Sequence, residues 1–332
     1  MSGTVLVTGG AGYIGSHACK ALAAAGYTPV TYDNLCIGNR WAVRWGPLEI
    51  GDIRDSAQLA SVMNRHRPVG VMHFAALTLV GESMSEPGLY YRVNVGGAQT
   101  VMDAALAAGI RAFVFSSTCA VYGTPPKLPI TEATPKTPIN PYGASKLMVE
   151  RILEDYDVAH GFRSAALRYF NAAGADPETE IGEARAVESH LLPLAMDALL
   201  GRRPPLNVLG TDYPTPDGTA IRDYIHVSDL AGAHVRALER LLDGAPSFAC
   251  NLGTGSGHSI REVLDTIARV AGREVPHKYA ARRPGDATEL VADTALSRQL
   301  FGEGLTPRSD LDTIVSTALA WHRSDLYARF WG

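Results

Sequence analysis

Tyr142 and Lys146 are the residues of this chain best suited to proton transfer, and they lie four positions apart in the run Tyr142-Gly143-Ala144-Ser145-Lys146. That spacing puts both side chains on one face of a helix. A tyrosine with its ordinary pKa near ~10 is a poor base at neutral pH, but a neighbouring ammonium group favours the phenolate. The pair can therefore accept a proton from a substrate hydroxyl. Because Tyr-x-x-x-Lys is common by chance, this interpretation needs support from other residues.

A short run of hydroxyl side chains supplies that support. Ser116, Ser117 and Thr118 follow the apolar, strand-like segment 113–115. A hydroxyl at the end of such a strand is placed to hold a substrate oxygen against the tyrosine. We therefore predict that Thr118, Tyr142 and Lys146 are catalytic.

Three glycines near the start of the chain predict a dinucleotide site. Gly9, Gly12 and Gly15 lie between a strand-like and a helical segment. Glycine permits the tight turn, lets the backbone approach a pyrophosphate and allows the helix to pack on the strand. The next strand-like segment ends at Asp33, whose carboxylate can accept both ribose hydroxyls and repels an added phosphate. The combination favours NAD over NADP, and a nicotinamide ring would further favour the phenolate of Tyr142.

A second glycine-rich run, at 251–257, is interpreted differently. No lysine follows it in the register of a phosphate-binding loop. Ser259, three positions before Glu262, matches the capping box that begins a helix. We therefore predict a structural turn there.

The elements around these residues alternate between short apolar strands and alanine-rich helices. Strands are expected at 5–7, 29–32, 71–74 and 113–116, and helices at about 14–25, 56–65 and 98–108. This alternation predicts an α/β fold with a Rossmann-type doubly wound parallel sheet. Ligands bind such sheets beyond the carboxyl ends of the strands, where the motifs above fall.

The regular alternation weakens from about Asp176 onward, where prolines at 193, 204, 205, 214 and 216 mark turns. We predict an NAD-binding Rossmann domain over 1–175, with a return segment near 222–242, and a smaller α/β substrate lobe over 176–332. The segment 124–141, with six prolines, is expected to be a compact loop.

Composition narrows the classes of function. The net charge of -4 gives no general attraction to nucleic acid or anionic lipid. The four cysteines include no Cys-x-x-Cys pair, so neither a metal site nor a disulfide framework is expected. No apolar run approaches the ~20 residues that span a bilayer, and no basic stretch precedes an apolar one at the start. We expect a cytoplasmic protein.

Many short motifs, in order along nearly the whole chain, resemble the extended short-chain dehydrogenase/reductase family and, within it, the UDP-glucose (UDP-galactose) 4-epimerases. They include TGGAGYIGSH at 8–17, YDNL at 32–35, GDIR at 51–54, HFAA at 73–76, VGES at 80–83, FSST at 115–118, RYFN at 168–171, RDYIHV at 222–227 and RRPGD at 282–286. The resemblance implies NAD as cofactor, and it assigns site residues by position.

The implied residues fall into two sets. The cofactor set is Gly9, Gly12, Tyr13, Ile14, Gly15, Asp33, Asn34, Asp52, Ile53, Phe74, Ala75, Ala76, Asn94, Ser116, Tyr142, Lys146 and Tyr169. The substrate set is Thr118, Asn171, His190, Leu191, Asn207, Leu209, Arg222, Arg283, Asp286 and Leu290. Arginines at 222 and 283 suit a diphosphate clamp, whereas His226 is interpreted as a structural histidine.

The resemblance implies that Tyr142 takes the proton of the sugar 4-hydroxyl while a hydride passes to tightly held NAD. The 4-keto sugar then turns about its diphosphate and is reduced on the other face. A homodimer, through helices near 98–108 and 145–156, is also implied. Alternatives are a UDP-xylose/UDP-arabinose 4-epimerase and a non-catalytic NAD(H)-binding sensor.

Five positions refine these expectations. Related dehydratases carry an Asp-Glu pair where this chain has Cys119 and Ala120, which argues against elimination chemistry. Thr78 replaces a lysine that binds cofactor in many relatives, and His190 stands where asparagine is frequent. Leu290 aligns with a residue that limits sugar size, so we expect unsubstituted sugars to be preferred over N-acetylated ones.

Overall fold

The computed structural model describes residues 3–282 and 286–331. The chain forms two compact units. Unit 1 comprises Met1–Thr124, Thr134–Tyr169 and Ala231–Cys250, and unit 2 comprises Pro125–Ala133, Phe170–Leu230 and Asn251–Gly332.

The strands and helices are numbered along the chain. The strands are β1 (Thr4–Thr8), β2 (Thr28–Asp33), β3 (Leu48–Ile50), β4 (Gly70–His73), β5 (Ala112–Thr118), β6 (Arg163–Tyr169), β7 (Asn171–Ala173), β8 (Leu206–Leu209), β9 (Ile221–His226), β10 (Phe248–Leu252), β11 (Gly257–Ser259), β12 (His277–Ala280) and β13 (Glu289–Leu290). The helices are α1 (Tyr13–Ala24), α2 (Ser56–His66), α3 (Val80–Ser85), α4 (Pro87–Tyr90), α5 (Ala98–Ala107), α6 (Pro141–His160), α7 (Leu191–Leu199), α8 (Val227–Leu242), α9 (Ile260–Ala271), α10 (Ala295–Phe301), α11 (Leu311–Arg323) and α12 (Asp325–Trp331). A π-helix, Tyr91–Gly97, joins α4 to α5, and short 3-10 helices lie at Arg40–Ala42, Cys119–Tyr122 and Glu303–Leu305.

Unit 1 is built on a sheet with the strand order β3-β2-β1-β4-β5-β6-β10. Neighbouring strands from β3 through β6 pair in parallel. Helices cover both faces of such a sheet, so its strands are apolar throughout instead of alternating. Every residue of β4 and β5 is buried. The predicted Rossmann-type sheet is confirmed, because its strand order is that of the doubly wound fold.

The core of unit 1 lies between the sheet and helices α2, α5 and α6. Phe113 and Phe115 of β5 pack with Leu59, Val101 and Leu153, each from one of those helices. All five side chains are at most 1% exposed. This packing holds α6, which carries the candidate catalytic pair, against β5.

Unit 2 contains two smaller sheets. Strand β9 pairs antiparallel with β11 and parallel with β13 and β7, and β8 pairs in parallel with β12. Helices α7, α9 and α11 bury a common apolar core that includes Met196, Ile267 and Leu319. Unit 2 is thus an α/β unit with its own apolar core.

The second glycine-rich run has the structural role predicted for it. Ser259 and Glu262 form a capping box at the start of α9. The backbone amides of Thr254 and Gly255 donate to the carboxylate of Asp223 at 2.8 and 3.0 Å. A buried carboxylate of the chain itself thus occupies the polar turn that a phosphate would need.

Two further observations concern membrane-spanning helices and disulfides. Among residues 3–282 and 286–331, no helix combines the length and the apolar character needed to cross a bilayer. All four cysteines are described, and none of them forms a disulfide.

Candidate active site

The glycine loop of unit 1 connects β1 to α1 in a conformation that requires glycine. Gly9 has a φ of +74°, and a Cβ there would lie 2.6 Å from the amide nitrogen of Ala75. A Cβ on Gly15 would lie 2.2 Å from the carbonyl oxygen of Gly9. Helix α1 begins after Gly12. Since glycine has no side chain to cap the first amides, the amino end of α1 can receive a phosphate.

Asp33 lies at the end of β2 and is held beside this loop. Its Oδ2 accepts the amide of Ala11 at 3.0 Å, and its Oδ1 accepts the amide of Leu35 at 2.8 Å. Burial raises the pKa of the carboxyl, and the two amides oppose that rise. The carboxylate of Asp33, predicted to bind the ribose, is thus fixed by two backbone amides.

Asp52 lies close to Asn34 and is bound by Arg54. The amide of Asn34 donates to Asp52 Oδ2 at 3.2 Å, and Arg54 donates through two nitrogens, each at 2.8 Å. Hydrogen bonding from Arg54 holds the pKa of the Asp52 carboxyl well below its usual range. Asp33, Asn34 and Asp52 are therefore near one another, as a single ribose and adenine site requires.

Asn94 ties the segment after β4 to helix α6. Its Oδ1 accepts the amide of Leu77 at 2.8 Å, and its Nδ2 donates to Ser145 Oγ at 3.0 Å. Phe74, also in the predicted cofactor set, packs against His234 with the ring planes tilted by 39° and the ring centroids 4.8 Å apart. Asn94 belongs to the predicted cofactor set. In the structure its side chain also binds Ser145, the residue that precedes Lys146.

The amino end of α6 approaches the segment after β5 very closely. Asn140 caps the helix by accepting the amide of Gly143 at 2.8 Å. A Cβ on Gly143 would lie 2.6 Å from the carbonyl oxygen of Ala120, so no larger residue fits without displacement. This contact brings the first turn of α6, with Tyr142, next to the residues that follow Thr118.

Lys146 is buried, with 3% of its surface exposed. Its Nζ donates to the carbonyl oxygen of Ser116 at 2.9 Å and lies 4.9 Å from the ring centre of Phe115. Burial lowers the pKa of Lys146 to about 7. The ammonium therefore lies near the end of β5, where burial opposes its positive charge.

The hydroxyl groups of the site are also ordered. Ser116 Oγ and the hydroxyl of Tyr169 are 2.7 Å apart. Thr118 Oγ1 accepts the amide of Ala120 at 3.1 Å, which leaves its own hydrogen for donation. Unit 1 thus brings together Ser116, Thr118, Lys146 and Tyr169, with Tyr142 on the same helix face as Lys146.

The candidate substrate residues of unit 2 fall in three places. Arg222 lies on β9, 3.9 Å from Asp286, and it pairs in register with Leu290 of β13. Asn171, on β7, pairs with a residue further along β9. Arg283 lies outside the described residues. Arg222, Asp286, Leu290 and Asn171 thus belong to one small sheet region.

The other candidates of unit 2 lie on separate elements. Asn207 and Leu209 are on β8, which pairs with β12, and Leu191 is the first residue of α7. His190 precedes α7, and its Nδ1 lies 2.8 Å from Glu183 Oε1. The charge of Glu183 raises the pKa of His190.

His226, interpreted as structural, is completely buried. Its Nε2 lies 3.0 Å from Thr317 Oγ1, and its Nδ1 accepts the amide of Ser228 at 3.1 Å. Both ring nitrogens are therefore used within the protein, as that interpretation requires.

Comparison with known proteins identifies the family. The family model described as "NAD dependent epimerase/dehydratase family" matches residues 5–253. The chain belongs to this family. A UDP-glucose 4-epimerase of Rhizobium meliloti (strain 1021) is 55% identical over 318 residues, which cover 96% of each chain.

Solved structures of other proteins agree with this assignment. A UDP-glucose 4-epimerase from Brucella ovis in complex with NAD has a TM-score of 0.93 and 53% identity, and the match covers 96% of this chain and 98% of that one. A UDP-glucose 4-epimerase from Stenotrophomonas maltophila with bound NAD and formylated UDP-arabinopyranose has a TM-score of 0.93 and 39% identity, with coverage of 98% and 99%. The expected fold, family and NAD cofactor are confirmed.

In this epimerase/dehydratase chain, sequence reasoning missed two buried charged residues near the site. Glu150 lies on α6, and Arg168 lies on β6. Their side chains form an ion pair of 2.6 Å with 5% of each exposed. Glu150 follows Tyr142 by eight positions, so helical periodicity could have placed it on the catalytic face.

Proposed function

We propose that this protein is a UDP-glucose 4-epimerase, which interconverts UDP-glucose and UDP-galactose with NAD held as a resident cofactor. The observation that carries this proposal is the position of Lys146, whose Nζ reaches the end of β5 from the helix that carries Tyr142. Relatives with the same activity, matched over almost their whole length, support the substrate class.

The glycine loop fits a dinucleotide. Gly9 and Gly15 leave room that any Cβ would fill, and the carboxylate of Asp33 is fixed beside the loop. Asp33 would bind the adenosine ribose and disfavour a 2′-phosphate. Lys146 and Ser116 would lie toward the nicotinamide half, at the end of β5. A dinucleotide held there would supply a reversible hydride acceptor for carbon 4 of the sugar.

The proton is handled by side chains of unit 1. Tyr142 removes the proton from the sugar 4-hydroxyl and returns it when the 4-keto sugar is reduced. Lys146 favours the phenolate of Tyr142 by its positive charge. Thr118 donates a hydrogen bond to the same sugar oxygen. This bond holds the 4-hydroxyl in a fixed direction for proton transfer to Tyr142.

Unit 2 would hold the nucleotide part of the substrate. Arg222 can bind the diphosphate through its fork of donors, and Asp286, 3.9 Å away, can accept ribose hydroxyls. If the nucleotide stays anchored, the sugar can turn about the diphosphate and present either face. Leu290, in register with Arg222, leaves less room than glycine or serine would, which favours unsubstituted sugars over N-acetylated ones.

We further propose that the protein is a homodimer and lies in the cytoplasm. The epimerase acts as a homodimer whose interface includes α5 and α6. Met148, with 45% of its surface exposed on α6, suits such an interface. Four cysteines without a disulfide suit the reducing cytoplasm. Light scattering after size exclusion would measure the assembly, and a monomeric mass would refute the dimer.

The activity can be tested directly. Purified protein is mixed with UDP-galactose without added NAD, and the anomeric protons are followed by NMR. Appearance of UDP-glucose would establish both the reaction and a cofactor retained through purification. Failure to convert the sugar even with NAD supplied would refute the hexose assignment, and UDP-arabinose would then be tried.

A further inference from the structure

A buried ion pair joins the catalytic helix to the sheet of unit 1. Arg168 Nε donates to Glu150 Oε1 at 2.9 Å, and Arg168 Nη2 donates to Glu150 Oε2 at 2.6 Å. This bidentate arrangement has a fixed direction as well as a short distance. Because Glu150 is on α6 and Arg168 on β6, the pair sets the orientation of the helix relative to that strand.

The same two residues bind two further segments. Ser117, on β5, donates to Glu150 Oε1 at 2.5 Å. Arg168 Nη1 donates to the hydroxyl of Tyr122, which is completely buried and belongs to the 3-10 helix that follows Thr118. The pair therefore connects α6, β5, β6 and residues 119–122, the segments that carry or adjoin every group of the catalytic site.

The energetics favour a positioning role over a stabilising one. Replacement of a buried ion pair by apolar residues of similar volume is often neutral or stabilising. Stability alone therefore does not require charged groups at these positions. Catalysis does depend on position, because a displacement of ~1 Å at the reacting groups can cost about 10²-fold in rate.

We propose that Glu150 and Arg168 are positioning residues, which fix Tyr142 and Lys146 relative to Thr118. The inference rests on the proposed epimerase function. Neither residue acts on the reacting atoms directly. Their effect passes through the hydrogen bonds to Ser117 and Tyr122.

The first test uses substitutions of Arg168 in the NAD-loaded protein. For Arg168→Met we expect kcat to fall about 10²-fold while KM for UDP-galactose stays within about twofold, because unit 2 binds the nucleotide. Arg168→Lys keeps the charge but lacks the fork of donors, so it should not restore kcat. Arg151→Met is the matched control, since Arg151 is 71% exposed on the same helix and pairs with Asp155. An unchanged kcat for Arg168→Met, per NAD-loaded protomer, would overturn the proposal.

The double variant Glu150→Leu/Arg168→Met separates position from stability. It leaves no unpaired buried charge, so we expect it to fold and to melt near the wild-type temperature. Its kcat should remain low, because the bonds to Ser117 and Tyr122 are lost. Recovery of wild-type kcat in the double variant would contradict a positioning role, even if Arg168→Met alone failed to fold.

Hydrogen–deuterium exchange gives a readout that does not depend on turnover. In the double variant we expect faster exchange in the 3-10 helix 119–122 and in residues 141–147, with exchange in α1 unchanged. Equal acceleration in all three segments, or in none, would overturn the proposal. If wild-type protein lacked epimerase activity, the proposed function would fail by itself and this measurement would still test the positioning of α6.

Discussion

At the scale of single residues, the chemistry of this site depends on burial of a charge. Lys146 has its ammonium between a backbone carbonyl and an aromatic ring, and burial lowers its pKa to about 7. A lysine in water would remain fully charged at that pH. Burial of Lys146, which we propose assists Tyr142, therefore has a cost in folding free energy.

Tyr142→Phe removes the proposed proton acceptor but keeps the ring. We expect kcat to fall by about 10²- to 10⁴-fold, with NAD still bound, because general acid–base catalysis typically contributes that much. Turnover by NMR and the NAD content of the denatured protein would measure the two effects. Tyr279→Phe, at a tyrosine with 55% of its surface exposed on β12, is the control. A Tyr142→Phe enzyme with wild-type kcat would refute the assignment.

Lys146→Met should inactivate the NAD-loaded enzyme and should stabilise the protein stripped of NAD. The folded-state pKa of about 7 lies below the ordinary value of 10.5, so folding opposes protonation of this lysine. At ~1.4 kcal/mol per pKa unit the cost is roughly 3 to 5 kcal/mol below pH 7, and it fades as pH rises toward the unfolded pKa. Loss of the bond to Ser116 offsets about 1 kcal/mol of the gain. Denaturant unfolding at pH 6.5 and 9.5 would measure the difference, and a larger gain at pH 9.5 would contradict this account.

At the scale of elements, the site depends on how closely α6 approaches the segment after β5. The contact between Gly143 and the carbonyl of Ala120 leaves no space for a methyl group. The cap from Asn140 fixes the start of the helix at the same point. Tyr142 lies between these two residues, so its place is set by backbone contacts on both sides.

Gly143→Ala should therefore impair catalysis through backbone displacement. A Cβ 2.6 Å from the Ala120 oxygen must move the first turn of α6, and we expect kcat to fall at least tenfold, roughly the cost of a sub-ångström displacement. Gly232→Ala is the matched control, because a Cβ there meets nothing within 4 Å on α8. That change should leave kcat unaltered and stabilise the protein by up to about 1 kcal/mol. Equal kcat in both variants would show that the close contact at Gly143 does not position Tyr142.

The sequence predicted those parts of the structure that depend on local pattern. Strand β1, helix α1 and the acid at Asp33 follow from apolar runs, glycines and turn residues close together in the chain. The capping box at Ser259 and Glu262 was predicted for the same reason, and it is confirmed.

Contacts between distant segments could not be predicted in this way. Glu150 and Arg168 are ordinary charged residues in the sequence, and their burial depends on the pairing of β5 with β6 and on the packing of α6. The carboxylate of Asp223 occupies the second glycine-rich turn from 31 positions away. The sequence predicted a structural turn there, but it could not name Asp223 as the carboxylate that the turn binds.

At the scale of the whole molecule, the two compact units carry two sets of candidate residues. The predicted cofactor residues, from Gly9 to Tyr169, all belong to unit 1. Apart from Thr118, which lies in unit 1, the candidate contacts of the nucleotide sugar belong to unit 2, among them Asn171, Arg222 and Asp286. This division leads to a prediction about ligands that does not require turnover.

Each ligand should stabilise the protein through its own unit. A ligand that binds only the folded state adds about 2.7 kcal/mol at a concentration roughly 100 times its Kd. We therefore expect NAD and UDP each to raise the Tm of protein stripped of cofactor. Asp33→Asn should abolish most of the shift with NAD and keep the shift with UDP. Arg222→Met should do the opposite.

The crossed result is what makes this experiment decisive, because a variant that only loosens the fold would lower both shifts together. Arg323→Met, at an exposed arginine near the end of α11, controls for the loss of a positive charge in unit 2. Differential scanning calorimetry of the three variants with each ligand measures all the shifts. If Arg222→Met retained the UDP shift, the diphosphate would be bound by other residues, and the assignment of unit 2 would have to be revised. If Asp33→Asn lost the UDP shift as well, the two ligands would share determinants, and the separation by unit would be wrong.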